Sequence, residues 1–302
     1  MILNRSTAPR VLLLLAALVF FSANTAYILD ADSSPLMAPY EKVYHFDFDH
    51  LRKGGPYLNT KCALLINYDN GEVLYARNTK RKRSVASLTK LVAAMVLLDK
   101  EIDLKKTATI TKQDARRSSR SRLRVGFELT LYDLLHASLM SSDNRATRAL
   151  ARAASGSLKA FTQEMNKKVR LLGLRHTKFV EPTGLDSKNV STAREMAKIL
   201  HYAYDYPLIA KITSKRSYRC KVVNRRRTFR KMTNTNRFII SPYKVLAGKT
   251  GYIRAADYCL TTIIQNKRGQ RLSLVILGVP GDKLRFKEAR RLVDWGFKQL
   301  TL

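Results

Sequence analysis

Cysteine and histidine are scarce in this chain, which has three cysteines and five histidines among 302 residues. An odd number of cysteines cannot form a complete disulfide framework, and Cys62, Cys220 and Cys259 also lack the spacing of metal ligands. We therefore expect isolated thiols, with Cys220–Cys259 as the one bridge to test. No two histidines have the helical spacing of a metal pair, and His45–His50 is better explained as an extended surface segment. No metal and no cofactor are predicted.

Acidic residues are also few, because 23 Asp and Glu stand against 56 Lys and Arg, for a formal net charge of +33. Such a charge attracts polyanions, so the candidate partners are nucleic acid, anionic lipid and an acidic wall polymer. Hydrophobic residues are plentiful at 45%. The chain is long enough for a substantial core in one large domain or two modest ones.

No apolar run is long enough to cross a bilayer as a helix. The N-terminal run Val11–Phe21 is unbroken, but a transmembrane helix needs about 20 apolar residues. It follows Arg5 and Arg10 and precedes small and polar residues, which is the layout of a secretory signal. We predict a signal peptide over residues 1–26 and a periplasmic location, with an uncleaved membrane anchor as the alternative. Export argues against nucleic acid as the natural partner.

Turn signals and periodicity divide the rest of the chain. Residues 27–60 lack helical periodicity and are interpreted as a linker or an N-terminal strap, followed by one domain over residues 61–302. Helical patterns fill the middle of that domain. The β-like runs are Cys62–Asn67 and Glu72–Ala76, around a hairpin turn at Asp69-Asn70-Gly71, and later Tyr243–Gly251, Tyr258–Gln265 and Leu272–Val279, before a last helix over Leu284–Leu300. Strands at both ends with helices between them predict an α+β fold.

Three short motifs occur in a fixed order: Ser87-Leu88-Thr89-Lys90, Ser142-Asp143-Asn144 and Lys249-Thr250-Gly251. Ser-x-x-Lys is weak alone, and a second copy occurs at Ser241–Lys244. Ser87, however, precedes an apolar helical run, which places Ser87 and Lys90 on one helix face. The free N–H groups of a helix N-terminus also favour negative charge beside the serine oxygen. The second copy instead leads into a strand.

Together the motifs supply what acyl transfer by a serine requires. A serine hydroxyl attacks slowly unless a neighbour takes its proton. Lys90 serves as that base if burial and the positive charge of Lys249 lower its pKa. No histidine lies in any of the three motifs, which argues against a Ser-His-Asp arrangement.

The second and third motifs supply the remaining groups. Ser142 would relay the proton to the leaving amine, and Asn144 would hold the lysine base and the substrate amide. Lys249 and Thr250 would bind a carboxylate, and Gly251 would let a peptide backbone approach and add as an extra strand. Taken singly, Ser142-Asp143-Asn144 is also explained as a helix N-cap. Lys249-Thr250-Gly251 alone is explained equally well as an exposed turn.

Three further segments accompany the motifs: Phe179–Leu185, Asn234–Asn236 and Trp295–Phe297. Together they make residues 60–300 resemble the low-molecular-mass penicillin-binding proteins, the D-alanyl-D-alanine carboxypeptidase and endopeptidase family. The resemblance implies an antiparallel sheet flanked by helices, a mostly helical subdomain and a cleft between them, as in β-lactamases and D,D-peptidases. It also implies an oxyanion hole from the backbone N–H groups of Ser87 and Tyr252, and covalent inhibition by β-lactam antibiotics.

The function that the resemblance implies is a serine D,D-peptidase acting on peptide stems or cross-links of peptidoglycan through an acyl-enzyme. Leu139–Arg145 and Phe179–Leu185 most resemble the endopeptidase branch, which cuts D-alanyl–diaminopimelate cross-links. Pro280 stands where many carboxypeptidases have an arginine, which also favours an endopeptidase, although Arg254 or Lys283 could substitute. A D-alanyl-D-alanine carboxypeptidase is the alternative.

Two further alternatives are weaker. A class A β-lactamase needs a deacylating glutamate in a Glu-x-x-Leu-Asn loop, and neither Glu164 nor Glu181 has that setting. A non-catalytic protein would use its cations, notably Lys80–Arg83 and Lys215–Lys231, to contact an anionic wall or membrane surface.

Overall fold

The computed structural model describes residues 42–49, 51, 54–116, 118 and 121–301. The predicted signal peptide over residues 1–26, with its alternative as an anchor, lies outside the described residues, as does part of the predicted strap. Within the described ranges, no helix has both the length and the apolar character to traverse a bilayer.

Strands are concentrated towards the two ends of the described chain, and helices fill its middle. The strands are β1 (Cys62–Asn67), β2 (Val73–Arg77), β3 (Arg83–Ser84), β4 (Thr107–Thr109), β5 (Glu128–Thr130), β6 (Val190–Ser191), β7 (Ser217–Lys221), β8 (Phe229–Thr233), β9 (Lys244–Ile253), β10 (Asp257–Gln265) and β11 (Arg271–Val279). The α-helices are α1 (Lys90–Leu98), α2 (Lys112–Ala115), α3 (Leu131–Met140), α4 (Asn144–Ser155), α5 (Leu158–Leu171), α6 (Ala193–Tyr204), α7 (Pro207–Thr213) and α8 (Asp282–Gln299).

Five strands form one antiparallel sheet in the order β2-β1-β11-β10-β9. The predicted hairpin joins β1 to β2, and the late strands β9 to β11 pair in succession. The antiparallel sheet with helices confirms the α+β prediction. β9 lies at an edge of the sheet, so one side of its backbone has no partner strand among those described.

Both faces of the sheet are buried, because each face is covered by helices. In β1, Leu64 and Ile66 join the core that contains α1, whereas Ala63 and Leu65 join the core that contains α8. This alternation is the two-residue period of a strand with two covered faces. Leu292 and Val293 of α8 are fully buried against the sheet.

Three of the middle helices begin at side-chain caps. Thr130, Ser157 and Thr192 each accept a hydrogen bond from the backbone N–H three residues later, at the starts of α3, α5 and α6. Such a cap satisfies one of the N–H groups that a helix leaves free at its start.

The three cysteines are buried free thiols, as predicted, and Cys220 and Cys259 are not bridged. Burial raises the pKa of Cys259 to about 11 and raises the pKa values of Cys62 and Cys220 above the usual value of a thiol. All three therefore stay protonated at neutral pH, where a thiol is a poor nucleophile.

Within the predicted strap, residues 42–49 contact the start of β2 and the helix α6. Asp47 forms a parallel bridge with Glu72, and the Tyr44 hydroxyl donates to the Asp205 carboxylate over 2.6 Å. The rings of Tyr44, Phe46 and Tyr68 surround His201 of α6 at centroid distances of 4.7–5.1 Å. An aromatic cluster therefore fastens this segment to the rest of the molecule.

Candidate active site

Ser87 lies in a 3-10 turn, Ala86–Thr89, that leads directly into α1. The α-helix therefore begins three residues after the serine, later than the sequence pattern indicates. Ala86 has a φ of +48°, a left-handed conformation that is strained for a residue with a side chain. The Thr89 hydroxyl donates to the Ala86 carbonyl over 2.8 Å and holds the turn closed.

Lys90 is completely buried behind Ser87. Its Nζ lies 3.1 Å from Ser87 Oγ and 2.7 Å from Asn144 Oδ1, and it also donates to the Thr183 carbonyl. Burial lowers the pKa of Lys90 to about 7, against the opposing effect of two nearby carboxylates. A large fraction of the lysine is therefore neutral at neutral pH.

Arg148 is a nearby charge that helps to lower the pKa of Lys90. Lys90 is in turn one of the groups that lower the pKa of Lys249, since two cations that lie close together disfavour each other's charged form. Burial is the larger cause for both lysines.

The Ser-Asp-Asn motif lies between α3 and α4, and Asp143 is the N-cap of α4. Its carboxylate accepts from the backbone N–H groups of Arg145 and Ala146 over 2.9 and 3.1 Å. Ser142 has a φ of +57°, and its Oγ accepts from Lys249 Nζ over 2.9 Å. The cap and the left-handed turn together direct Ser142 and Asn144 towards the two lysines.

The Lys-Thr-Gly motif belongs to the edge strand β9. Lys249 is buried, and burial together with the charges of Lys90 and Arg285 holds its pKa well below the usual range. Thr250 Oγ1 lies 2.5 Å from Thr235 Oγ1. A Cβ on Gly251 would lie 3.0 Å from the backbone N of Ser87, so glycine lets β9 pass directly beside the nucleophile.

The loop that presents Thr183 to Lys90 is organised by Glu181, whose role the sequence does not reveal. Its carboxylate accepts from the backbone N–H groups of Thr183, Gly184 and Leu185 over 2.6–2.8 Å. Gly184 has a φ of +84°, and a Cβ there would lie 2.0 Å from the Ala86 carbonyl oxygen. The only trace of this role in the sequence is a glutamate directly before Pro-Thr-Gly, since an ionised carboxylate accepts several hydrogen bonds.

The motifs meet at the base of a cleft of about 700 Å³. The predicted site residues that line it are Ser87, Ser142, Asn144, Thr250, Gly251 and Tyr252. Lys90 and Lys249 contact these residues from behind. The second Ser-x-x-Lys copy lies outside the cleft lining, because Ser241 ends a 3-10 turn and Lys244 begins β9.

The arginines that line this cleft are Arg122, Arg237 and Arg285, and not the predicted substitute cations Arg254 and Lys283. Arg285 is 5% exposed and donates to the carbonyl of Gly251 over 3.2 Å. Asp282 pairs with both Arg285 and Arg237, at 2.5 and 3.0 Å. No cluster of His, Cys, Asp or Glu suited to a metal occurs in the part of the chain that the structure describes.

Comparison with known proteins identifies the family. A family model described as D-alanyl-D-alanine carboxypeptidase matches residues 51–281. The chain is 35% identical to the D-alanyl-D-alanine endopeptidase of Escherichia coli, with 80% of this chain and 78% of that protein covered. It is 36% identical to the D-alanyl-D-alanine endopeptidase of Pseudomonas aeruginosa, with coverage of 79% and 77%.

A solved structure agrees with the fold. The crystal structure of the Streptomyces K15 DD-transpeptidase superimposes with a TM-score of 0.76 at 26% identity, covering 81% of this chain and 99% of that one. The motif geometry, the family match and this superposition support one assignment. The chain belongs to the D-alanyl-D-alanine carboxypeptidase family of serine D,D-peptidases.

Proposed function

We propose that this protein is a periplasmic endopeptidase that cuts D-alanyl–diaminopimelate cross-links of peptidoglycan through an acyl-enzyme on Ser87. The observation that carries the proposal is the arrangement around Lys90 Nζ, a buried amine between the nucleophile and two carbonyl oxygens. This arrangement fits a general base and does not fit a structural ion pair.

The two carbonyl partners orient the base. A neutral amine has two N–H donors and one lone pair, and the Asn144 and Thr183 carbonyl oxygens only accept. When both N–H groups donate to these oxygens, the lone pair remains for the hydroxyl proton of Ser87. Lys90 then takes that proton as Ser87 Oγ attacks the D-alanyl carbonyl.

The charge that develops on the carbonyl oxygen is stabilised by backbone donors. The Ser87 N–H lies beside Gly251 of β9, and Tyr252 is the next residue of that strand. We assign the N–H groups of Ser87 and Tyr252 to the oxyanion hole, where fixed donors stabilise the transition state more than the ground state.

Ser142 and Lys249 act on the leaving group. Ser142 Oγ accepts from Lys249 Nζ, so its own proton is available for the departing amine. The proton that Lys90 took from Ser87 replaces it, which leaves Lys90 neutral for the next step. Lys249 and Thr250 bind the carboxylate beside the scissile bond, and the arriving negative charge raises the pKa of Lys249 and returns it to the charged form. Water then releases the acyl group, with Lys90 again as the base.

Cleavage of a cross-link is supported by the shape of the cleft and by the relatives. A volume of about 700 Å³ accommodates more than a terminal dipeptide. Pro280 directly follows β11, and by the family resemblance it stands where many carboxypeptidases have an arginine. The two relatives compared above are both named D-alanyl-D-alanine endopeptidases.

One observation favours the carboxypeptidase alternative. Arg237 lines the cleft and is 53% exposed at its side chain, so it could bind a terminal carboxylate. Its pairing with Asp282 at 3.0 Å already neutralises part of that charge, which weakens the alternative.

Two experiments test the proposal. Incubation with purified uncross-linked and cross-linked muropeptides, followed by mass spectrometry, should convert dimers to monomers; loss of a terminal alanine alone would make the protein a carboxypeptidase.

Ser87→Ala should abolish covalent labelling by a fluorescent penicillin, with Ser241→Ala as the matched control that keeps it. Undiminished labelling of Ser87→Ala would refute the assignment of the nucleophile.

A further inference from the structure

Positive charge is concentrated in one part of the chain. Between Asp205 and Asp257 every Asp, Glu, Lys and Arg position is Lys or Arg, and the hairpin of β7 and β8 lies in the middle of this segment. The proposed function gives a role to Lys249 of this segment but none to the cations of the hairpin.

The hairpin places its cations in an unfavourable arrangement. Cys220 and Met232 face the core, so the alternate positions Arg219, Lys221 and Lys231 face outward; we call these three the hairpin face. Arg219 and Lys231 are direct cross-strand partners. Like charges directly opposite each other on a sheet destabilise it, so another requirement has to explain the pair.

No acidic side chain relieves this repulsion within the described ranges. The hairpin face has no ion pair to a carboxylate there. Asp133, beneath the hairpin, accepts from the Tyr218 hydroxyl and the Lys221 backbone N–H over 2.8 and 3.2 Å. Glu128, near the tip, accepts from the Thr107 hydroxyl.

The hairpin face continues into the active-site cleft. Thr233 is two residues after Lys231 on the same exposed side of β8, and it lines the cleft. Arg122, which also lines the cleft, donates to the Lys231 carbonyl over 2.8 Å. A polymer chain that leaves the cleft along β8 therefore passes directly over the three cations.

The hairpin is held in place by bonds to a neighbouring strand. The Val223 N–H donates to the Glu128 carbonyl over 2.7 Å, and the Asn224 side chain accepts from the Glu128 N–H and donates to the Gly126 carbonyl. A rigid array of charges binds its ligand with a smaller loss of conformational entropy than a flexible one.

We propose that the hairpin face is a second substrate-binding surface for the free peptide carboxylates of the wall strand whose cross-link lies in the cleft. This rests on the proposed function, because it extends the same substrate beyond the site of cleavage. Carboxylates fit because exposed Arg and Lys form charge-assisted hydrogen bonds with them. An anionic membrane fits less well, because the exposed ring of Phe229 is covered by the Arg219 guanidinium at 4.8 Å and is not free to insert into lipid.

The test is binding of Ser87→Ala protein to purified peptidoglycan sacculi, measured by co-sedimentation at 0.15 M salt. In this background the sacculi are not consumed. The triple variant Arg219→Gln, Lys221→Gln, Lys231→Gln is compared with Lys244→Gln, Lys267→Gln, Arg268→Gln. This second variant is the control. It removes the same charge from exposed positions at the end of the sheet where β9 begins and β10 ends.

We expect the hairpin variant to bind sacculi about tenfold more weakly than the control. The difference between the two variants should disappear on sacculi whose carboxyl groups have been amidated. Relief of the cross-strand repulsion should also make the hairpin variant as stable as its parent or more stable. If the three cations had only a structural role, the variant would instead be less stable than its parent.

Three results would overturn the proposal. Equal losses in the two variants would show attraction by net charge alone, and loss of binding only to phosphatidylglycerol vesicles would assign the surface to lipid. Slower acylation by penicillin, in the hairpin variant with Ser87 restored, would mean that the hairpin acts by shaping the cleft. Failure of the proposed function is seen separately, when the Ser87 protein leaves cross-linked muropeptide dimers uncut.

Discussion

At the scale of single residues, the protonation of Lys90 sets the working pH. Burial lowers the pKa of Lys90 to about 7, and only the neutral amine accepts the proton of Ser87. The second-order rate of acylation by a fluorescent penicillin should therefore rise about tenfold per pH unit below 7 and level off above it. A rate that does not change between pH 5.5 and 8.5 would contradict the assignment of Lys90 as the base.

Glu181 provides a second test of the same base, because it acts on Lys90 and does not line the cleft. Its negative charge raises the pKa of Lys90, and its carboxylate holds the loop that carries Thr183. Glu181→Gln should shift the acid limb of the acylation profile to lower pH. It should also reduce the free energy of unfolding by about 2 kcal/mol, through lost charge-assisted hydrogen bonds.

Glu164→Gln is the matched control for this substitution, because Glu164 pairs with Lys100 at 3.0 Å and is 35% exposed at its side chain. It should leave the pH profile unchanged and alter stability by less than about 1 kcal/mol. A Glu181→Gln protein with lower stability but an unshifted pH profile would restrict Glu181 to a structural role.

At the scale of elements, the site depends on the close fit of two turns. Gly184 and Gly156 both have a positive φ, but only Gly184 lies where a Cβ would meet another backbone, at 2.0 Å from the Ala86 oxygen. Gly156 has no atom within 4 Å of such a Cβ. The pair therefore separates the effect of conformation from the effect of contact.

We expect Gly156→Ala to reduce the free energy of unfolding by about 1 kcal/mol, the energy of a left-handed alanine. Gly184→Ala should reduce it by roughly 3 kcal/mol or more, because overpacking is added, and should slow acylation by displacing the Ser87 turn. Chemical denaturation and penicillin labelling measure both effects. Equal losses in the two variants would show that the contact with Ala86 is unimportant.

At the scale of the whole molecule, the sequence predicts what local patterns encode. Periodicity and turn signals locate the hairpin of β1 and β2, the late strands and the middle helices, and the motifs identify the side chains that meet in the cleft. The pairing of β1 with β11 and the loop of Glu181 were not predictable in this way. Both depend on contacts between distant segments or on where free N–H groups point, which spacing along the chain does not contain.

The pKa of a buried group depends on the complete fold in the same way, and His201 shows the consequence for stability. His201 is 2% exposed, and neither ring nitrogen has a hydrogen-bond partner among the described residues. Burial and the charge of Lys42 lower its pKa from 6.5 to about 3. The unfolded chain therefore takes up a proton at a higher pH than the folded chain does.

Stability due to His201 is fully present above pH 6.5 and is lost as the pH falls towards 3, by up to about 1.4 kcal/mol per pH unit. His136, whose pKa burial lowers to about 4, adds a loss of the same sign.

His201→Phe keeps an aromatic ring against Tyr44 and Phe46 and removes the titrating group. It should be at least as stable as the parent at pH 5, with a shallower fall in the free energy of unfolding between pH 6.5 and 4.5. Urea denaturation at a series of pH values measures this, with the exposed His176→Asn as the control. If His201→Phe and the parent lose stability in parallel over that range, the acid sensitivity arises elsewhere in the molecule.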